Sequence, residues 1–236
     1  MDKLFEYFGR KAGKAYKKGR WFYDSLLGDE EEAIKAEFAF GYEMARDIAS
    51  GSEFDKDQLV KSIGGTIKTR ISSKHKFNFY TIKSDEVNAF ALPGGFVFLT
   101  DSILKLCNRN EDEIAFIVCH EMAHVIKGHA MERILAEYSI NALAGLVRTT
   151  GMLQNAAKQL ATKYLTSSYS RDNEFEADLL GTKLMLKCGY KREGVINLLE
   201  RLRQKEISAI PYFSSHPDID ERKSEVQKYL NAKNIS

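Results

Sequence analysis

Cysteine is scarce in this 236-residue chain, and the three present, Cys107, Cys119 and Cys188, form no close pair. Their odd number and wide spacing exclude a disulfide scaffold and a thiolate zinc ribbon, and predict buried thiols in a reducing compartment. Long apolar runs are missing too. One uncharged stretch near the middle, Tyr138 to Val147, is ten residues bounded by Glu137 and Arg148, half of the roughly 20 needed to cross a bilayer. The opening Met-Asp-Lys-Leu-Phe-Glu-Tyr-Phe-Gly-Arg is interrupted by charge, so no secretory leader is expected and a cytoplasmic location is. Charge of one sign is not in excess either. Thirty-five Lys and Arg against thirty-three Asp and Glu leave a net +2, which removes any whole-chain case for nucleic acid or an acidic substrate. Internal repeats and low-complexity tracts are absent, which excludes a solenoid.

What is present suits a globular protein: apolar residues make up 44% and charged residues 29%, enough for a sizeable core. The chain divides into a basic arm with a helical extension over residues 1–50 and a main domain over 51–236. Residues 2–20 hold Lys3, Arg10, Lys11, Lys14, Lys17, Lys18 and Arg20 against Asp2 and Glu6, a net charge of +5. Leu4, Phe5, Phe8, Ala12 and Ala15 recur at helical spacing there, so the arm has the pattern for peripheral contact with an anionic membrane. Gly9, Gly13 and Gly19 weaken that helix, and a solvated basic end is the simpler reading.

The pattern predicts helices over Asp29 to Ser50 and Asp55 to Arg70, the second weakened by Gly64-Gly65. Phe77 to Ile82, Val87 to Leu92 and Phe96 to Leu99 predict a small antiparallel sheet, with Pro93-Gly94-Gly95 closing a hairpin between the last two strands. Helices should then fill the rest: one capped by Asn110, with Glu113 completing a capping box, and others over about Arg133 to Leu165 (broken near Gly151), Asn173 to Lys187, Arg192 to Gln204 and Pro217 to Leu230. The fold class is α+β, mainly helical.

The chemistry is carried by Cys119-His120-Glu121-Met122-Ala123-His124-Val125, which contains H-E-x-x-H inside an apolar helical stretch. Histidines four apart lie about 40° apart around a helix, so both imidazoles can converge on one tetrahedral zinc ion, with Glu121 beside its open position. A catalytic zinc needs a third protein ligand. The longer metzincin pattern would need a glycine at 127 and a histidine at 130, where this chain has Lys127 and Ala130. His129 projects about 140° from His124 on a continuous helix and is kept out of the site. The better candidate lies in Ser170-Arg171-Asp172-Asn173-Glu174-Phe175-Glu176-Ala177-Asp178. Glu174 and Asp178 share one face at i and i+4, so the first can bind zinc while the second holds a ligand histidine from outside. Glu176 reads as a solvated first-turn acid.

Together with Ala91-Leu92-Pro93-Gly94-Gly95 before the metal helix and His216-Pro217 followed by Arg222, these residues resemble the HtpX-like and CAAX-prenyl-protease family of zinc metallopeptidases, which are gluzincins. The resemblance covers about residues 56 to 226. It implies one zinc per chain held by His120, His124 and Glu174, with Glu121 catalytic, a gluzincin metallopeptidase domain over 51–236, and quality-control cleavage of misfolded or membrane-associated proteins. The chain resembles the compact branch without transmembrane helices.

On this reading Glu121 takes the proton of the attacking water and hands it to the leaving amine. His216 and Arg222 are candidate oxyanion donors, with Tyr190 a weaker one, and His216 is alternatively a fourth ligand closing a resting site. The substrate is polypeptide, laid along an exposed strand edge at Asn88, Ala89, Phe90 and Ala91. The rival reading is a zinc-binding chaperone or scaffold with latent peptidase activity.

Overall fold

The computed structural model describes residues 30–55, 57–137, 167–204, 215–216 and 218–233. The basic arm and the expected helix break near Gly151 lie outside the described residues. The described residues open with helix α1 (Glu30–Ser50), strand β1 (Phe54–Asp55) and helix α2 (Gln58–Arg70). Strands β2 (Asn78–Ile82), β3 (Ala89–Leu92) and β4 (Phe96–Thr100) follow. The remaining helices among the described residues are α3 (Asp101–Leu106), α4 (Glu111–Ile126), α5 (His129–Glu137), α6 (Arg171–Lys187), α7 (Glu193–Gln204) and α8 (Ile219–Lys233). The architecture is α+β and mainly helical.

The four strands lie in the order β1-β2-β4-β3. β3 and β4 form the expected hairpin, with Ala89 opposite Leu99 and Leu92 opposite Phe96. Gly94 and Gly95 turn it at φ 76° and 99°, angles that a side chain would strain. The sheet is mixed rather than wholly antiparallel: β2 runs parallel to β4, Asn78 opposite Phe96 through Ile82 opposite Thr100. Strand patterning specifies which face is buried, not which strand is the neighbour. Position β3 also differs from the exposed edge expected of it. Ala89, Ala91 and Leu92 are 0% exposed and Phe90 8%, with β3 lying against α4.

The hairpin turn is gripped by α1. A Cβ on Gly41 would stand 1.8 Å from Pro93 O, so only glycine lets the helix lie this close. Buried Glu37 accepts from Gly94 N at 3.1 Å and faces His75 Nε2 at 3.3 Å.

Helix α4 is the centre of the molecule, buried without a gap from Glu113 to Val125, as a helix apolar on all sides must be. Asn110 caps it, accepting from the Asp112 and Glu113 amides at 3.0 and 3.1 Å. Only half of the expected capping box forms. The Asn110 amide donates to Cys107 O, and the Glu113 carboxylate meets Arg201 Nε of α7 at 2.9 Å. Ser170 caps α6 by accepting from Asn173 N at 3.2 Å. Helix α6 packs across α4, and a Cβ on Gly181 would be 3.0 Å from His120 Cα. That close approach brings the first turns of α6 within reach of the α4 histidines. Among the described residues no helix is long and apolar enough to cross a membrane.

Candidate metal centre

His120 and His124 leave α4 one turn apart with their Nε2 atoms 3.1 Å from each other. Glu174 of α6 faces both: Oε1 is 3.3 Å from His124 Nε2 and Oε2 is 3.6 Å from His120 Nε2. His216, ahead of α8, completes the group with Nδ1 at 2.9 Å from Glu174 Oε1 and 3.3 Å from His120 Nε2. Donor atoms of His120, His124, Glu174 and His216 all lie within 4.8 Å of one another, and every one of these side chains is buried. Burying four such groups without a shared counter-charge would be costly.

Electrostatics divide the two acids. Burial pushes the Glu121 carboxyl up to about 7, with the charge of Glu174 adding to the rise against His120, Arg133 and Arg222. Its two oxygens have no hydrogen-bond partner among the described residues, and Oε1 lies 3.4 Å from His216 Nε2. Burial would raise Glu174 as well, but His216 and Arg222 hold it well below the usual carboxylate range. Burial also drives His124 well below the usual imidazole value, keeping its ring neutral.

Asp178 stands one turn beyond Glu174, with Oδ1 2.9 Å from His120 Nδ1. The contact is an ion-pair approach without a directed hydrogen bond, and a carboxylate beside Nδ1 favours the proton of His120 there, with the lone pair of Nε2 turned inward. Arg222 of α8 donates to both oxygens of Asp178 and to His216 O at 3.3 Å, and its Nη1 forms an ion pair with Glu174 Oε2 at 2.8 Å. Its guanidinium is therefore committed to carboxylates beneath the cluster rather than turned towards a substrate carbonyl. Tyr190 follows the C-terminal end of α6, where burial raises its hydroxyl above the ordinary phenol value, and it is not one of the four clustered residues.

The sequence matches peptidase family M48 over residues 56–230, three quarters of the chain, and the resemblance read from four motifs agrees with it. The chain belongs to peptidase family M48. Among curated relatives, the mitochondrial metalloendopeptidase OMA1 of Schizosaccharomyces pombe is 29% identical over 159 residues, 66% of this chain and 47% of the relative. The beta-barrel assembly-enhancing protease of Yersinia pestis is 27% identical over 218 residues, 84% and 45% of the two chains. Metalloprotease YcaL of Escherichia coli is 28% identical over 176 residues, 72% and 66%. The M48 chain described here thus spans about half the length of the first two.

Three residues of this M48 domain escaped the sequence reading. His129 was expected to point away, yet it is 1% exposed with Nδ1 3.1 Å from His124 Nδ1. The helix does not continue through it: α4 ends at Ile126, Gly128 adopts φ 78°, and α5 starts at His129. Gly128 was the available signal, since a glycine just past a helical run marks its end. Glu176, read as solvated, lies 3.5 Å from His129 Nε2 and 3.4 Å from Lys127 Nζ. Tyr169 stacks on the His124 ring at 3.7 Å between centroids and 14° between planes, and nothing in its spacing marks it.

Proposed function

We propose that this chain is a zinc-dependent endopeptidase cutting unfolded or membrane-associated polypeptides in protein quality control. The observation that carries the reading is the inward convergence of His120 Nε2, His124 Nε2 and the Glu174 carboxylate at 3.1 to 3.6 Å. Donors about 2.0–2.2 Å from a tetrahedral zinc stand roughly 3.3 Å from one another, so the residues fit such an ion. Two imidazole nitrogens and a carboxylate converging in a buried space also suit a cation between them. One zinc per chain is the expected load.

Zinc, when bound, supplies Lewis-acid polarisation of the peptide carbonyl and an acidified water. Glu121 accepts the proton of the attacking water and delivers it to the leaving amine. Its raised affinity for a proton, caused by burial, suits a group that must both take and give one. Asp178 and Arg222 orient His120 and Glu174 from behind, so Arg222 is assigned a positioning role in place of the oxyanion role read from sequence. His216 is assigned the fourth donor of a resting site, supported by its Nδ1 contacts with Glu174 and His120. It must withdraw before substrate enters.

The polypeptide is proposed to align along Asn88, Ala89, Phe90 and Ala91, because β3 ends the strand order and packs on the metal helix. Backbone pairing there reads an extended chain rather than a particular side chain, which favours unfolded substrates. Ala89, Phe90 and Ala91 are buried, so this alignment requires β3 to be uncovered together with the withdrawal of His216. Three free buried thiols support a reducing, cytoplasmic setting, and the basic arm supplies the contact proposed with anionic membrane.

Digestion of unfolded casein separates this reading from a zinc-binding scaffold. Wild-type protein should cleave it, and a chelator should stop cleavage. Glu121→Gln should slow it by about 10²–10⁴-fold, the range for losing a general base. Equal cleavage by wild type and Glu121→Gln would remove the proposal.

A further inference from the structure

His124 is held on its outer side by a second histidine, where His120 is held by the carboxylate of Asp178. His124 Nδ1 stands 3.1 Å from His129 Nδ1. On the far side of that ring, His129 Nε2 faces Glu176 Oε2 at 3.5 Å, and Lys127 Nζ meets the same oxygen at 3.4 Å. His124 and His129 are 0% and 1% exposed, so both rings are shielded from bulk solvent.

A neutral imidazole has one N–H and one lone pair, and the partner of one nitrogen decides the state of the other. Glu176 is the carboxylate facing Nε2, at an ion-pair distance of 3.5 Å without a directed hydrogen bond to that nitrogen, and its negative charge favours the N–H of His129 on Nε2. His129 Nδ1 is then a lone pair. Opposite it at 3.1 Å, His124 Nδ1 has to carry hydrogen, since two lone pairs or two N–H groups at that distance would repel. That assignment leaves the lone pair of His124 on Nε2, the atom turned towards His120 Nε2 and Glu174 Oε1. A carboxylate two rings away thereby selects the tautomer of His124.

We propose that His129 and Glu176 form a positioning relay that fixes the tautomer and ring orientation of His124 for metal binding. The relay rests on the reading of His120, His124 and Glu174 as a metal set. It is built by two features of the chain: the Gly128 bend that restarts the helix at His129, and the placement of Glu176 on α6 between Glu174 and Asp178. Tyr169 adds the remaining restraint by covering the His124 ring face, and Arg133 lies over Tyr169 at 4.1 Å.

Zinc affinity of the full chain, measured by competition with a chromophoric chelator, tests the relay without reference to peptidase activity. His129→Phe keeps an aromatic ring of similar size and deletes the acceptor. It should weaken zinc binding by about 10- to 100-fold, the usual effect of removing a partner behind a ligand. Glu176→Ala should weaken it too. The double variant should bind no more weakly than His129→Phe alone, because Glu176 acts through His129 and the two losses cannot add.

Wild-type protein that binds no zinc would overturn the metal reading itself. Zinc bound equally well by wild type and His129→Phe would overturn the relay and leave the metal set standing. Additive losses would also overturn it, since a packing role has no reason to saturate. Should His129→Phe fail to fold, as judged by circular dichroism of the metal-free protein, Glu176→Ala carries the test alone. Unchanged affinity in that variant counts against the relay.

Discussion

Arg222 donates from Nε and Nη2 to the two carboxylate oxygens of Asp178, at 2.7 and 2.8 Å, with neither side chain exposed by more than 1%. Its Nη1 lies 2.8 Å from Glu174 Oε2. Two acids of α6 therefore lean on one cation of α8. Arg222→Ala leaves both buried without it and should cost about 3–5 kcal/mol, read as a lower urea midpoint. Arg222→Lys should recover little, because an ammonium lacks the planar fork that meets both oxygens. A midpoint unchanged in either variant would contradict the assignment.

His216→Ala removes the fourth donor of the proposed resting site while leaving His120, His124 and Glu174 in place. Zinc should be held less tightly, yet turnover of unfolded casein should rise when zinc is supplied in excess. Slower turnover at saturating zinc would instead favour His216 as a catalytic helper.

Glycines 64 and 65 are neighbours in α2 with opposite demands. A Cβ at 64 would fall 2.3 Å from the Phe79 ring, whereas at 65 it meets nothing within 4 Å. Gly65→Ala should therefore stabilise the protein by about 0.5–1 kcal/mol through the helix preference for alanine. Gly41→Ala should do the reverse and cost about 1–3 kcal/mol or more, because the obstruction is the Pro93 carbonyl rather than a movable side chain. Thermal melting of the three variants (Gly41→Ala, Gly64→Ala and Gly65→Ala) ranks them.

The cysteines should be chemically silent in the folded chain. Burial raises the Cys107, Cys119 and Cys188 thiols above their ordinary value, which suppresses the reactive thiolate. Iodoacetamide at pH 8 should label none of them until the protein is unfolded in guanidinium, when all three should react. Rapid native labelling of Cys119 would mean that α4 is not enclosed as described.

Local chemistry was the legible part of the sequence. The hairpin could be read from Pro93-Gly94-Gly95, and the start of α4 from Asn110, because each depends on residues a few positions apart. The α+β character followed from the change of apolar period after Lys76. What stayed hidden depended on distant partners. Parallel pairing of β2 with β4 requires the chain to pass from Ile82 to Ala89 and return beyond the hairpin, and no alternation encodes that. Glu113 turned to Arg201 of α7 instead of back to its own cap, and Glu176 found His129 only because α4 and α5 are bent at Gly128. The angular projection that kept His129 out of the site assumed a helix that does not continue.

Zinc content of purified protein after dialysis, measured by native mass spectrometry, tests the metal set most directly. One zinc per wild-type chain is expected, retained by Glu121→Gln and lost from Glu174→Ala. A wild-type chain without zinc, or a Glu174→Ala chain that keeps its full complement, would contradict it.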